Sequence, residues 1–320
     1  MPNYKTISNN ISELIIHNPK TKYSVKWVNI INANKPEIDY LKKNYNFNIE
    51  HLHAAIASVF SQRPMLSQEP SYIFMILHFP ILVNGRVVAG EIEFFIGHGY
   101  LISVHNGNIQ ALNEFFEISK DNTDSLLTYS LESSAILLYE ILNKLIGSCY
   151  DLIDENSISL SEIEDLIFSG RQKEAVSLIL NLRRNIINLR KILQNHKYIL
   201  KKLTEMKSSL VPQKEIALHY DLLVEHSERI WEMLDNQKEM VDVLNDTNES
   251  LLDGEMTKIM KTLTMISVIV FPLTLLAAIF GMNVPNMPIV GQPNSFLIII
   301  GIMAVCSLSM VFIFKRRKWL

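Results

Sequence analysis

Residues 260–283, MKTLTMISVIVFPLTLLAAIFGMN, decide what kind of chain this is. From Thr262 to Phe280 no side chain is charged, and the run matches the roughly 20 apolar residues a helix needs to cross a bilayer. A second run of that kind, Ser295–Phe314, follows closely. The connector between them, Gly281–Asn294, is rich in Gly, Pro and Asn, which end helices, and it has no carboxylate. From Thr262 to Phe314 there is no Asp, Glu, Lys, Arg or His at all. Two such runs in succession predict two membrane spans, with a buried soluble hairpin as the alternative.

The basic residues orient these spans. Lys258 and Lys261 precede the first, Lys315–Lys318 (KRRK) follow the second, and the connector has none. Positive charge stays on the cytoplasmic side, so both ends of the pair are expected there, with the connector outside and Trp319 near the interface. The N-terminal MPNYKTISNN has no basic stretch before an apolar core, so no cleaved signal peptide is expected. A net charge of −3 in 320 residues argues against nucleic acid as a partner. Two cysteines far apart, Cys149 and Cys306, do not make a disulfide scaffold and read as small buried apolar groups.

The soluble part precedes the spans and divides in two. YSVKWVNII (Tyr23–Ile31), Ser71–Val83, Arg86–Gly97 and Tyr100–Gly107 read as strands, the last three punctuated by Asn-Gly turn signals. PEIDYLKKNYN and NIEHLHAAIASVF read as helices. His51 and His53 are two residues apart, which does not put two ligands on one helix face, so a surface or capping role is expected. No nucleotide loop, nucleophile motif or metal-ligand cluster emerges, so neither an enzyme nor an organic cofactor is expected. From Asp124 the pattern is helical, with breaks expected at Asn156–Ser161, Phe168–Gly170 and Ser208–Pro212.

After Pro212 no proline occurs until Pro272, and Gly254 is the one weak point between them. A helix from Gln213 to Phe280 would be roughly 100 Å long. Ile216, Leu223, Ile230, Gln237, Leu244 and Leu251 recur every seven residues as a packing seam with one polar member. A second stripe is acidic. Asp221, Glu225, Glu228, Glu232, Asp235, Glu239, Asp242, Asp246, Glu249 and Asp253 alternate spacings of four and three, with His226, Arg229 and Lys238 as the nearby bases. Such a stripe is either a solvated face or a surface that meets mobile cations. By the same spacing it continues through Thr257, Met260, Thr264, Ser267, Phe271, Thr274 and Ala278 into the span. Hydroxyl groups in membrane helices often bond back to their own helix, which is the plain reading of this row. The other reading is a lined ion path, continuous only if the helix supercoils left-handedly. One helix encloses no pore, so a path needs several chains around an axis.

On these residues the chain resembles the CorA family of magnesium transporters and channels. Gly281-Met282-Asn283 is similar to the family's GMN signature, placed directly after the first of two C-terminal spans. Met260–Asn283 resembles the family's first membrane helix, and YIFMILHFP and FFIGHGYLISVHNG resemble its N-terminal strands. The resemblance implies an α+β cytosolic domain, a long-helix stalk and two C-terminal transmembrane helices, assembled as a CorA-like pentameric funnel. The expected domains are an α/β domain (1–122), a cytosolic helical hairpin (123–212) and a stalk helix (213–280) that becomes the first span (262–280). An outer loop (281–294), a second span (295–314) and a basic tail (315–320) complete the chain.

The resemblance further implies that Asn283 rings the outer mouth of a homopentamer and contacts hydrated Mg2+, with Gly281 and Met282 shaping its turn. Thr274 falls on a polar pore position, and Met260, Leu263 and Phe271 on a hydrophobic constriction. Asp246 matches a carboxylate ring, and Asp221, Asp246 and Asp253 are candidates for regulatory or inner-pore Mg2+. The implied function is Mg2+ influx driven by the membrane potential and closed by cytosolic Mg2+, in a bacterial inner membrane. A Zn2+, Ni2+ or Co2+ transporter of the same architecture is the alternative, and a membrane-anchored scaffold without transport is a third reading. Two departures stand out: Met287-Pro288 is followed by Ile289-Val290 rather than an acid, and Phe271 stands where the family often has methionine.

Overall fold

The computed structural model describes residues 3–17, 24–56, 62–121, 133–206, 210, 213–283, 289, 293–317 and 319. They fall into two compact units, Met1–Asn245 and Asp246–Leu320. In the first unit β1 (Asn3–Ser8), β2 (Ile11–His17) and β3 (Ser24–Ile31) precede two short helices, α1 (Lys35–Asn44) and α2 (Ile49–Ala54). Then come β4 (Met65–Gln68), β5 (Tyr72–Val83), β6 (Arg86–Gly97), β7 (Tyr100–His105) and α3 (Gln110–Asp121). The seven strands form one mixed sheet in the order β1-β2-β3-β7-β6-β5-β4. Only the central β3–β7 pair is parallel, with Trp27 opposite Leu101 and Ile30 opposite Val104.

Both faces of this sheet are covered, which is why its central strands are largely apolar on both sides. Along β5, Ile73, Met75, Leu77 and Phe79 enter one core and Tyr72, Phe74 and Ile76 the other, as a period of two demands. The second core lies under α1 and α2. There His51 is buried, stacks on Phe74 at 4.2 Å between ring centroids and lies 2.8 Å from the Tyr72 hydroxyl. Burial holds its imidazole below the ordinary histidine range. The expected surface or capping role therefore fails for His51, because an aromatic core gives the ring a stacking partner and a hydroxyl to bond. His53 is exposed.

One buried polar group crosses the sheet centre. Trp27 Nε1 donates to Ser103 Oγ (2.9 Å), which donates to Asn29 Oδ1 (2.7 Å). His105 Nε2 also donates to Asn29 Oδ1 (3.0 Å), while the Gly107 amide donates to His105 Nδ1 (3.1 Å). That pattern needs a neutral ring, and burial lowers the His105 pKa to about 4. Strands β1, β2 and β4 were not evident in the sequence. They are short and lie at the two ends of the sheet.

The rest of the unit is a helical bundle of α4 (Ser134–Phe168), α5 (Gln172–Leu193), α6 (His196–Glu205) and the start of α7 (Gln213–Phe280). The expected break at Asn156–Ser161 is absent, and α4 runs straight through it. Asn156 is buried and bonded to α7, while the Ser157 and Ser161 hydroxyls donate to the carbonyls four residues back (3.1 and 3.3 Å). These side chains are therefore satisfied without leaving the helix. At Gly170 (φ 85°) the chain does turn, as read from Phe168–Gly170, since glycine adopts the left-handed region without strain. The break expected at Ser208–Pro212 falls largely outside the described residues.

Asparagines three residues apart on α5 fasten it to the β5–β6 hairpin. Asn185 accepts from the Val87 amide (3.2 Å) and donates to the Gly85 carbonyl (3.0 Å), and Asn188 donates to the Val87 carbonyl (3.0 Å). At the start of α6, His196 Nε2 donates to the His78 carbonyl of β5 (2.7 Å).

In the second unit, α7 continues without interruption to Phe280, through both Gly254 and Pro272. After the connector comes α8 (Ser295–Arg316), which ends in Lys315 and Arg316, and Trp319 stacks on Phe314. Both helices are long and apolar enough to cross a membrane.

Candidate ion-conduction site

Helix α7 carries all the candidate residues up to Phe280, so its seam decides which way they face. On the α4 side, Leu223, Ile230, Leu234, Gln237, Val241 and Leu244 are buried. Leu251, the last expected seam member, is exposed, and the side chain of Ile216 lies outside the described residues. The acidic stripe sits two positions off this seam and is mainly exposed.

The stripe is not a uniform run of bare carboxylates. Alternate members meet bases that sequence proximity did not reveal. Arg183 Nε lies 3.1 Å from Asp242, Arg190 Nη2 lies 2.9 Å from Asp235, and Lys197 Nζ lies 2.8 Å from Glu228. Both rows step by seven residues in opposite directions, as antiparallel helices require. Arg190 also covers the Trp231 ring at 4.9 Å. Glu225 pairs with Arg229 one turn on. Among the described residues Asp221, Glu232, Glu239, Asp246 and Asp253 form no ion pair. The expectation that His226, Arg229 and Lys238 are the only nearby bases is corrected by α5 and α6. Their arginines and lysine lie 31 to 59 positions away in sequence but share a helix interface with the stripe.

Along the span, Met260, Leu263 and Phe271 are 55, 58 and 71% exposed in the single chain. Thr264, Thr274 and Ala278 are exposed and Ser267 is half-buried. The hydroxyls donate to their own helix: Thr264 to the Met260 carbonyl (2.8 Å), Ser267 to Leu263 (2.9 Å) and Thr274 to Val270 (2.9 Å). Each donor is thereby used, and each oxygen keeps lone pairs that accept. Such a row repels nothing and can accept hydrogen bonds from water around a cation. Pro272 has no N–H, so the Val268 carbonyl loses its intrahelical donor.

The helix closes at its C-terminal end through the Gly281 amide, which donates to the Ala277 carbonyl (2.9 Å), and the Met282 amide, which donates to the Ile279 carbonyl (3.2 Å). A Cβ on Gly281 would stand 3.0 Å from the Ala277 oxygen, so the close turn favours glycine. Met282 and Asn283 follow, both exposed. Residues 284–288, including Met287 and Pro288, lie outside the described residues.

Among the described residues, no group of three His, Cys, Asp or Glu side chains converges to hold a metal. Asp246 and Asp253 are seven residues apart on one helix, roughly 10 Å along its axis. Asp221 lies in the other unit. Among the described residues the three are not such a group.

A doubly covered mixed sheet, a long helix that runs into an uncharged span, and a second apolar helix after it are the architecture of a family of divalent-cation transporters. The chain belongs to the family described as CorA-like Mg2+ transporter protein, which matches residues 22–316. It is 22% identical over 298 residues to the cobalt/magnesium transport protein CorA of Methanocaldococcus jannaschii, covering 93% of this chain and 92% of that one. It is 24% identical over 241 residues to the magnesium transport protein CorA of Haemophilus influenzae, covering 72% of each. In structure it is similar to the complete CorA magnesium transporter of Methanocaldococcus jannaschii, with a TM-score of 0.85 and 21% identity over 99% of this chain and 100% of that one. It is also similar to full-length CmaX, with a TM-score of 0.74 and 17% identity over 93 and 90% of the two chains. At these identities the structural likenesses establish the fold.

Proposed function

We propose that the chain forms a homopentameric channel for Mg2+ influx, driven by the membrane potential and closed by cytosolic Mg2+. The observation that carries this reading is the uncharged row on α7, from Met260 through Thr264, Ser267, Phe271 and Thr274 to Ala278. It ends directly at Gly281-Met282-Asn283. Five copies of one helix around an axis would turn that row into a wall. Mg2+ sheds water reluctantly, so a wall suited to the hydrated ion offers acceptors to its water ligands and no carboxylate to trap it. The Thr264, Ser267 and Thr274 oxygens have that polarity, because their protons are already committed.

At the outer mouth, Asn283 offers an amide oxygen to coordinated water. The C-terminal end of α7 lies beside it and carries roughly half a negative charge per helix. A ring of such ends attracts a cation in the absence of a connector acid. Met260, Leu263 and Phe271 would form the apolar constriction. Below it, Asp246 and Asp253 would face their counterparts across the axis, and Asp221 would bind regulatory Mg2+ between protomers. The potential supplies the drive: a divalent ion gains about 4.6 kcal/mol per 100 mV. Both termini lie in the cytoplasm of a bacterial inner membrane.

Co2+ is the competing cargo, since the Methanocaldococcus relative is named for both metals. The test is dye-reported flux into liposomes containing the purified protein, with Mg2+ and Co2+ supplied separately and the internal Mg2+ varied. Asn283→Ala should abolish Mg2+ entry while the oligomer elutes unchanged. Normal flux through Asn283→Ala removes the mouth assignment, and Co2+ entry without Mg2+ entry reverses the cargo.

A further inference from the structure

We propose that Gln237 is a positioning residue that holds the stalk helix in one axial register against α4, and that releasing it changes how internal Mg2+ closes the channel. This rests on the channel reading above. Gln237 is one of three polar residues, with Ser227 and Asn248, on the otherwise apolar buried face of α7. It is 7% exposed, with Ile230, Leu234, Val241 and Leu244 buried on either side. Its side chain makes three bonds to a single turn of α4. Nε2 donates to the Ile153 carbonyl (2.7 Å) and to Ser157 Oγ (2.9 Å), and Oε1 accepts from Asn156 Nδ2 (3.2 Å). Asn156 is itself buried.

The apolar members do not specify register by themselves. Leucine, isoleucine and valine of similar volume recur every three or four residues, so a slip of one turn, about 5.4 Å, places one of them where another was. The amide knot is different. A slip brings Leu234 or Val241 against Asn156 and Ser157, and leaves two carboxamides buried without partners, which is far costlier than exchanging one alkyl contact for another. A buried, hydrogen-bonded polar residue in a helical seam is the best-attested way to impose one register. The Arg183, Arg190 and Lys197 pairs share that register, but they are partly exposed to solvent and constrain it less than a buried bond. Helix α7 (Gln213–Phe280) carries both this knot and the Met260–Ala278 row as one element.

The test uses the full-length protein in liposomes. Asn156→Leu/Gln237→Leu replaces both carboxamides by alkyl groups of similar size, leaving neither amide unpaired. The expected result is an intact oligomer that melts no lower than wild type. The internal Mg2+ giving half-maximal inhibition of flux should shift by about threefold or more. A purely structural role predicts an inhibition curve that overlays wild type, and that result overturns the proposal. If the double variant does not assemble, Ser157→Ala removes one bond without adding volume. It should shift the curve in the same direction by a smaller factor, and no shift there also overturns the proposal. A wild type that conducts no Mg2+ defeats the channel reading first. A wild type that conducts and is inhibited, beside variants that are unaffected, defeats only this inference.

Discussion

Replacing His196 by glutamine gives a pH-dependent stability difference whose size follows from its burial. His196 is 2% exposed at the start of α6, against the Phe79 ring, and its Nε2 donates to the His78 carbonyl. Burial lowers its pKa from 6.5 to about 4. A base held neutral by the fold binds its proton less readily folded than unfolded. Its contribution is therefore complete above pH 6.5 and is lost as the pH falls through the window toward about 4. Between pH 7 and pH 5 the loss from this one group is about 2 kcal/mol. His105 acts with the same sign. Glu93 acts with the opposite sign, since burial raises its carboxyl well above the usual range and its protonated form fits the fold. Total acid stability therefore mixes signs, and a difference between two proteins isolates His196. His196→Gln keeps an N–H donor for the His78 carbonyl and has nothing to titrate. Melting followed by circular dichroism should show the wild-type advantage over His196→Gln shrinking by roughly 4–8 °C between pH 7 and pH 5. A gap that stays constant over that interval refutes the argument that His196 is neutral and buried.

Arg190→Ala removes both the Asp235 pair and the contact over Trp231. It should cost about 1–2 kcal/mol in denaturant unfolding, the ion-pair part fading in high salt. Trp27→Phe keeps the aromatic packing near Phe116 (4.8 Å between centroids) but strips the donor from Ser103. The expected loss is about 1–3 kcal/mol, and Ser103→Ala in the same background should recover part of it. Gly281→Ala brings a methyl to 3.0 Å from the Ala277 oxygen and should lower Mg2+ flux without dissociating the oligomer, as read by liposome flux and size-exclusion elution.

Much of the fold was legible because each long element carries its own period. Strands β5, β6 and β7 are apolar on both faces and end in turn signals, and β3 shares their character. Less was legible where an element depends on its neighbours. Asn156–Ser161 looked like a break because asparagine and serine disfavour helix interiors when considered alone. Inside the bundle the same residues are bonded, and α4 continues. His51 looked like a surface residue because spacing says nothing about the Tyr72 and Phe74 side chains that meet it from another element.

The spans, the GMN tripeptide after the first of them, and the seven-residue repeat of α7 were determined by the sequence by itself. Each is a local property, set by hydropathy, helix-ending residues and the periodicity of one helix. Which acids stay unpaired, and what the polar seam member does, were decided only by the tertiary structure. Arg183, Arg190 and Lys197 reach the stripe from another helix, and Gln237 finds its three partners on α4 some 80 positions away in sequence. Ion pairing and amide bonding require two groups within about 3 Å, and between distant segments that proximity exists only once the helices have packed.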